Sequence, residues 1–134
     1  MIVFALDTNI VSYLLKNNEA VFARYREEIR NGNRIIIPPV TYYEIKRGLL
    51  HQEAIVKAGL FRRLCGEFGV GRMVLDTWDE AAGLYAENRH LGRTVEDADL
   101  FIAAFCLVNG YTLVTNNIRH FEHIDKLKLV NWTA

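Results

Sequence analysis

Apolar positions along the chain fall into two alternating kinds of segment. Short β-rich runs at Ile2–Leu6, Arg34–Ile37, Arg72–Leu75 and Thr112–Thr115, with a weaker one at Leu127–Val130, predict five strands. Four of these carry apolar side chains on both faces, the pattern of a parallel strand covered on both sides. Between them apolar residues recur at helical spacing, as in Phe22, Tyr25 and Ile29, or Phe61, Leu64, Cys65 and Phe68. Further helices are predicted at Ile10–Lys16, Thr41–Leu50, Asp79–Leu91 and Asp97–Asn109. The punctuation agrees: Asn31-Gly32-Asn33, Pro38-Pro39, Gly66–Gly71 and Asn109-Gly110 fall between these segments. Strands alternating with helices predict one α/β layer sandwich with a mainly parallel sheet, spanning residues 1–134.

Composition narrows the class. At 51% hydrophobic the chain is too apolar to be disordered and has enough material for a substantial core. The longest apolar run, Leu100–Val108, falls far short of the roughly 20 residues that span a bilayer. Met1–Leu6 has no basic start and meets Asp7 at once, so no secretory signal is expected. Cys65 and Cys106 lie in helical patterns and suggest neither a disulfide framework nor a zinc site. The expectation is a soluble cytoplasmic protein with no membrane segment.

Candidate chemistry comes from asking which polar residues follow strands, because ligands of open parallel sheets bind beyond the carboxyl ends of the strands. Asp7 follows the first strand at once, with Thr8 and Asn9 behind it. Glu44 lies in the helix just past Pro38-Pro39, Thr115, Asn116 and Asn117 close the fourth strand, and Asp97 and Asp99 open the helix feeding that strand. Each has a plainer reading alone. Asp7-Thr8-Asn9 suits a helix N-cap, Asp97 and Asp99 suit a helix dipole, Glu44 suits a solvated face, and Asn116-Asn117 suits a turn. Together they imply carboxylates converging at the rim of a core, where they repel one another and lose hydration. The usual remedy is a hard divalent cation with oxygen ligands, Mg²⁺ or Mn²⁺.

Other chemistries fit less well. His120-x-x-His123 is the one histidine pair at zinc spacing and lacks a third ligand nearby. No G-x-S-x-G elbow or phosphate-binding Walker loop occurs. A haloacid-dehalogenase-like phosphatase wants a second Asp at position 9, which is Asn. Tyr42, Tyr43 and Tyr85 are expected to pack helices before serving as base-stacking platforms.

Four ordered segments carry a family resemblance: Phe4-Ala5-Leu6-Asp7-Thr8-Asn9, the helical Glu44, Asp97-Ala98-Asp99-Leu100-Phe101-Ile102-Ala103-Ala104 and Leu113-Val114-Thr115-Asn116-Asn117. They resemble the motifs of PIN-domain ribonucleases. Arg119-His120-Phe121 and the ending Leu129-Val130-Asn131-Trp132 further resemble the VapC toxins of VapBC toxin–antitoxin modules. The resemblance implies a three-layer PIN-like domain with a five-stranded sheet in order 3-2-1-4-5 and helices on both faces. It implies a Mg²⁺- or Mn²⁺-dependent endoribonuclease, often cutting tRNA or rRNA at one site and leaving a 5′-phosphate and a 3′-hydroxyl. Asp7, Glu44 and Asp99 match the principal acids, and Asn117 matches a fourth position that is Asp in many members; Asp97 is near enough to compensate. The implied metal ligands are therefore Asp7, Asp99, Glu44, Asp97 and Asn117, with Thr8, Asn9, Thr115 and Asn116 supporting the carboxylates and the scissile phosphate. The implied partners are RNA, a second copy in a homodimer formed around Ile45–Phe68, and a VapB-like antitoxin, with DNA reached only through that antitoxin.

Two other readings remain: a catalytically silent PIN-like module that only binds RNA or antitoxin, and a receiver-like signalling domain. The second has an acid after its third strand in Asp76 but no Lys after Leu127–Val130. Charge bears on the choice. The chain has 16 Lys+Arg and 16 Asp+Glu. Setting aside Asp7, Glu44, Asp97 and Asp99 leaves sixteen basic against twelve acidic residues, a remainder of +4. Neutrality thus masks an acidic pocket in a mildly basic body, which favours an enzyme selective for RNA shape or sequence over one that binds by charge alone.

Overall fold

The computed structural model describes residues 1–133. Its elements are β1 (Val3–Leu6), α1 (Thr8–Leu15), α2 (Glu19–Arg30), β2 (Arg34–Ile36), α3 (Pro39–His51), α4 (Ile55–Phe68), α5 (Leu75–His90), α6 (Asp97–Asn109), β3 (Thr112–Val114), α7 (Ile118–Phe121) and β4 (Lys128–Val130). The four strands form one parallel sheet in the order β2-β1-β3-β4. The order reverses direction at β1, so the carboxyl ends of β1 and β3 form the switch point of the sheet.

The period-2 alternation of each strand builds the layers. Phe4, Leu6, Ile35, Ile37, Val114 and Val130 face one apolar cluster, joined by α1 to α4 and by Trp132. Ala5, Ile36, Leu113 and Leu129 face the other, joined by α5, α6 and Phe121 of α7. Trp132 is wholly buried, its ring centroid 5.4 Å from that of Phe4, so the segment after β4 is part of the first core. Helix α6 is buried along Leu100–Cys106, except for the partly covered Phe101, as its apolar run predicts.

The expected five strands in order 3-2-1-4-5 are corrected at one edge. Among the described residues Arg72–Leu75 forms no strand, and beyond β2 the sheet gains only a single parallel bridge between Ile37 and Val70. That bridge is closed by Ile37 N donating to Gly69 O at 3.0 Å and Gly71 N donating to Ile37 O at 2.8 Å. Pairing stops there for a steric reason. A Cβ on Gly71 would lie 2.2 Å from Cζ of Phe105, so the ring fills the space that a strand side chain needs. Leu75 then opens α5, four residues before the expected helix start at Asp79. The short α7 lies in a stretch with no expected helix. Among the described residues no helix is long and apolar enough to cross a membrane.

Candidate active site

Asp7 leaves β1 and caps α1 in one step. Its backbone continues the ladder, N donating to Val114 O at 2.9 Å, while its Oδ1 accepts from Thr8 N at 2.8 Å. Its Oδ2 accepts from Thr115 Oγ1 at 2.7 Å and, at 3.4 Å, from Asn9 Nδ2. The N-cap uses one carboxylate oxygen and leaves the other turned to Thr115, so capping α1 does not consume the whole carboxylate. Thr115 holds its place because its own N donates to Val130 O at 3.0 Å, extending β3 by one residue.

Glu44 is delivered by α3. Buried Thr41 ties the start of that helix to the end of β1, its Oγ1 donating to Leu6 O at 2.9 Å. Three residues on, and so on the same helix face, Glu44 Oε1 accepts from Thr8 Oγ1 at 2.6 Å, and its Oε2 lies 3.7 Å from Arg47 Nη2. Asp99 comes from the first turn of α6, half-buried, with Oδ2 3.2 Å from His120 Nδ1. His120 itself stays 57% exposed along its side chain.

The electrostatics couple these groups. Burial pushes the Asp7 carboxyl above its ordinary range, and nearby Glu44 adds to that, against the hydrogen bonds from Thr115 and Thr8. Asp99 is likewise raised, first by burial and then by Asp7, with His120 opposing and Glu96 adding. Asp7 is thus raised by Glu44 and in turn raises Asp99, so the three acids form a chain in which negative charge is expensive.

Around them, Asn116 N donates to Asn9 Oδ1 at 3.4 Å and Asn116 Nδ2 donates to Tyr13 Oη at 2.8 Å. Asn117 contributes through its backbone, N donating to Thr115 Oγ1 at 3.0 Å. Its side chain and that of Asp97 are exposed, and neither is in a hydrogen bond or ion pair among the described residues. Of the five expected metal ligands, Asp7, Glu44 and Asp99 are electrostatically coupled, whereas Asp97 and the Asn117 side chain are exposed. His120 and Glu96 also act on Asp99, although the sequence suggests only a weak zinc-spaced pair for the first and a helix-dipole acid for the second. Tyr43, expected to pack, is 60% exposed with Arg47 over its ring at 5.1 Å.

The donor set suits a hard divalent cation in one specific way. Among the described residues no three His, Cys, Asp or Glu side chains form a ready-made metal cage. Mg²⁺ does not ask for one, since it keeps several waters and is commonly held by one or two carboxylates together with substrate phosphate. Two neighbouring carboxyls, both raised by burial, match that demand. The buried Asn116 Oδ1, without a partner among the described residues, leaves one further oxygen acceptor at the site.

Acids gathered at the switch point of a parallel α/β sheet define the class: an α/β protein with an acidic, all-oxygen centre. The chain belongs to the PIN-domain family, whose model matches residues 4–127. It is 32% identical over 143 residues to the tRNA(fMet)-specific endonuclease VapC of Shigella flexneri, an alignment covering 99% of this chain and all (100%) of that one. Ribonuclease VapC1 of Haemophilus influenzae (strain R2866) is 24% identical over 135 residues, with 98% of each chain covered. Among solved structures, VapBC-1 from nontypeable Haemophilus influenzae matches with a TM-score of 0.88 at 25% identity, covering 99% of this chain and 100% of that chain. VapBC2 from Rickettsia felis, bound to a DNA fragment from their promoter, matches with a TM-score of 0.87 at 25% identity over 98% and 99%.

Proposed function

We propose that this chain, as one PIN domain over residues 1–134, is a divalent-metal-dependent endoribonuclease that acts as the toxin of a type II toxin–antitoxin pair. One observation carries the reading: at the switch point of the sheet the charge of Asp7 reaches Asp99, 92 positions away in sequence, and raises its carboxyl, while Glu44 in turn raises Asp7. The names of its full-length relatives, ribonucleases and a tRNA(fMet)-specific endonuclease, support RNA as substrate and tRNA as the first RNA to try. The VapBC complexes among its structural neighbours support a VapB-like antitoxin as inhibitor, with DNA reached through it. Such a protein meets its RNA in the cytoplasm.

In this reading Asp7 and Asp99 hold the cation, with Glu44 orienting the shell from the α3 side. A bound Mg²⁺ or Mn²⁺ supplies Lewis acidity, making a water more acidic and polarising a phosphoryl oxygen. The protein's own residues set the geometry. Thr115 and Thr8 N fix the two Asp7 oxygens, Thr8 Oγ1 fixes Glu44, and His120 fixes Asp99. Asn9 and Asn116 add amide groups beside the carboxylates for the scissile phosphate and its ribose.

The homodimer belongs to the same reading. Leu50, Ile55 and Val56, 67%, 84% and 87% exposed, leave an apolar patch in the Ile45–Phe68 region. A patch of this kind is what a second copy covers. The test of the function is incubation of the purified protein with total cellular RNA in Mg²⁺, in Mn²⁺ and in chelator. Discrete cleavage that requires the metal supports the reading; intact RNA in every condition contradicts it.

A further inference from the structure

Helices α1 and α3 run side by side from the acidic centre, and a groove of about 210 Å³ lies between them. Its walls are two stripes at four-residue spacing, the face-sharing interval of a helix. Thr8, Ser12 and Lys16 line one side, and Glu44, Gly48 and Gln52 the other. The groove therefore starts at the Thr8–Glu44 hydrogen bond and runs about 12 Å, eight residues of helix, away from the carboxylates. At its far end Lys16 is joined by Lys57 from α4.

The charges are graded along it, acid at the head and two cations at the tail. Neither lysine is in an ion pair among the described residues, whereas Arg47, the other cation beside Glu44, is engaged by Glu44 and by the Tyr43 ring. Lys16 at the end of α1 has a plainer use, since it complements the helix dipole. Lys57 does not. It sits half-buried in the first turn of α4, where the dipole disfavours a cation and no acidic residue offsets it. An anion lying in the groove relieves that placement. The Ser12 hydroxyl, without a hydrogen-bond partner among the described residues, and the bare backbone at Gly48 leave the middle of the groove open above Leu15, Ile45 and Leu49.

We infer that this groove is the track of the RNA strand beside the cut, with the phosphodiester flanking the scissile one held on Lys16 and Lys57. The inference rests on the ribonuclease reading and adds the direction in which the strand leaves the centre. The contact is to backbone charge, so it supplies affinity and register without reading bases.

The test uses full-length protein carrying Asp99→Asn, to stop cleavage, and a fluorescein-labelled single-stranded RNA of mixed sequence. Binding is measured against salt concentration for this background and for the same background with Lys16→Gln and Lys57→Gln. The slope of log affinity against log salt should fall by about 0.7 per lysine, about 1.4 for the pair, and Lys16→Arg with Lys57→Arg should restore it. Gly48→Leu gives an independent reading, because a Cβ there meets nothing within 4 Å and the helix gains propensity. It should block RNA binding while the melting temperature holds or rises. Unchanged slopes in the glutamine variants, with wild-type protein still binding and cutting RNA, would overturn the groove and leave the ribonuclease reading standing. Loss of antitoxin-peptide binding with RNA binding intact would assign the groove to the antitoxin and overturn the inference. Wild-type protein that neither binds nor cuts RNA would remove the ribonuclease reading, and the groove assignment with it.

Discussion

Thr115 Oγ1 donates a buried 2.7 Å hydrogen bond to Asp7 Oδ2, tying the ends of β1 and β3 together across 108 positions of sequence. The bond lowers the Asp7 carboxyl against the burial that raises it. It also points the carboxylate, because Oδ1 is fixed separately by Thr8 N. Thr115→Val keeps the volume and loses the donor. We expect Mn²⁺ affinity by calorimetry to fall about 10–100-fold, the usual effect of losing a group that orients a ligand, with the circular dichroism spectrum unchanged. Thr115→Ser should retain most of the affinity.

The raised Asp7 and Asp99 carboxyls also make stability depend on pH in a definite direction. A carboxyl whose folded pKa lies above its unfolded value binds protons more readily in the folded state, so it favours folding at low pH. That contribution is complete below the unfolded value of 3.8 and is lost as pH rises through the raised folded values. At neutral pH the metal-free protein therefore bears the burial of two charges. Asp99→Asn should melt at a higher temperature than wild type at pH 7 without metal, and the difference should shrink as pH falls toward 4. Adding Mn²⁺ should raise the melting temperature of wild type and not of the variant. A wild-type protein that is the more stable of the two in metal-free buffer at pH 7 would contradict this.

Gly71 lets Phe105 close the second core. Its Cβ position lies 2.2 Å from Phe105 Cζ, so Gly71→Ala forces the ring or the edge bridge to move. Overpacking of this kind costs roughly 1–3 kcal/mol, measurable by urea unfolding. Adding Phe105→Leu should recover part of the loss, which an effect confined to the unfolded chain would not allow.

Trp132 is fully buried against Phe4, and its indole N–H has no partner among the described residues. Trp132→Ala should cost about 3–5 kcal/mol through the cavity it leaves. Trp132→Phe should cost much less, since it sacrifices volume and no hydrogen bond.

The elements were legible where one period dominated. The alternation in Phe4-Ala5-Leu6 and Ile35-Ile36-Ile37 assigns each side chain to its layer, and the apolar run after Asp99 predicts a buried α6 with its acidic start at the sheet edge. The Arg72–Leu75 run misled because strand-like composition cannot show that Phe105, more than thirty positions away, fills the space over Gly71. The polar residues at the sheet edge were legible for a topological reason: Asp7 and Thr115 directly follow paired strands, and Asp99 opens a helix whose buried face fixes its position. His120 was not legible, because its approach to Asp99 depends on the short α7 that no periodicity announces. Asp97 and Asn117 looked equivalent to their neighbours in sequence, and their exposure could not be read from spacing alone.

The central claim is that the Asp7–Asp99 centre cuts RNA with a divalent ion, and single-turnover cleavage of purified tRNA in Mg²⁺ tests it most directly. Wild type, Asp99→Asn and wild type in excess chelator are compared, with product ends mapped. The account predicts discrete cleavage leaving 5′-phosphates by wild type alone, with the variant slower by more than about 100-fold and retaining the wild-type circular dichroism spectrum. Cleavage by Asp99→Asn at the wild-type rate, or cleavage that persists in chelator, would contradict it.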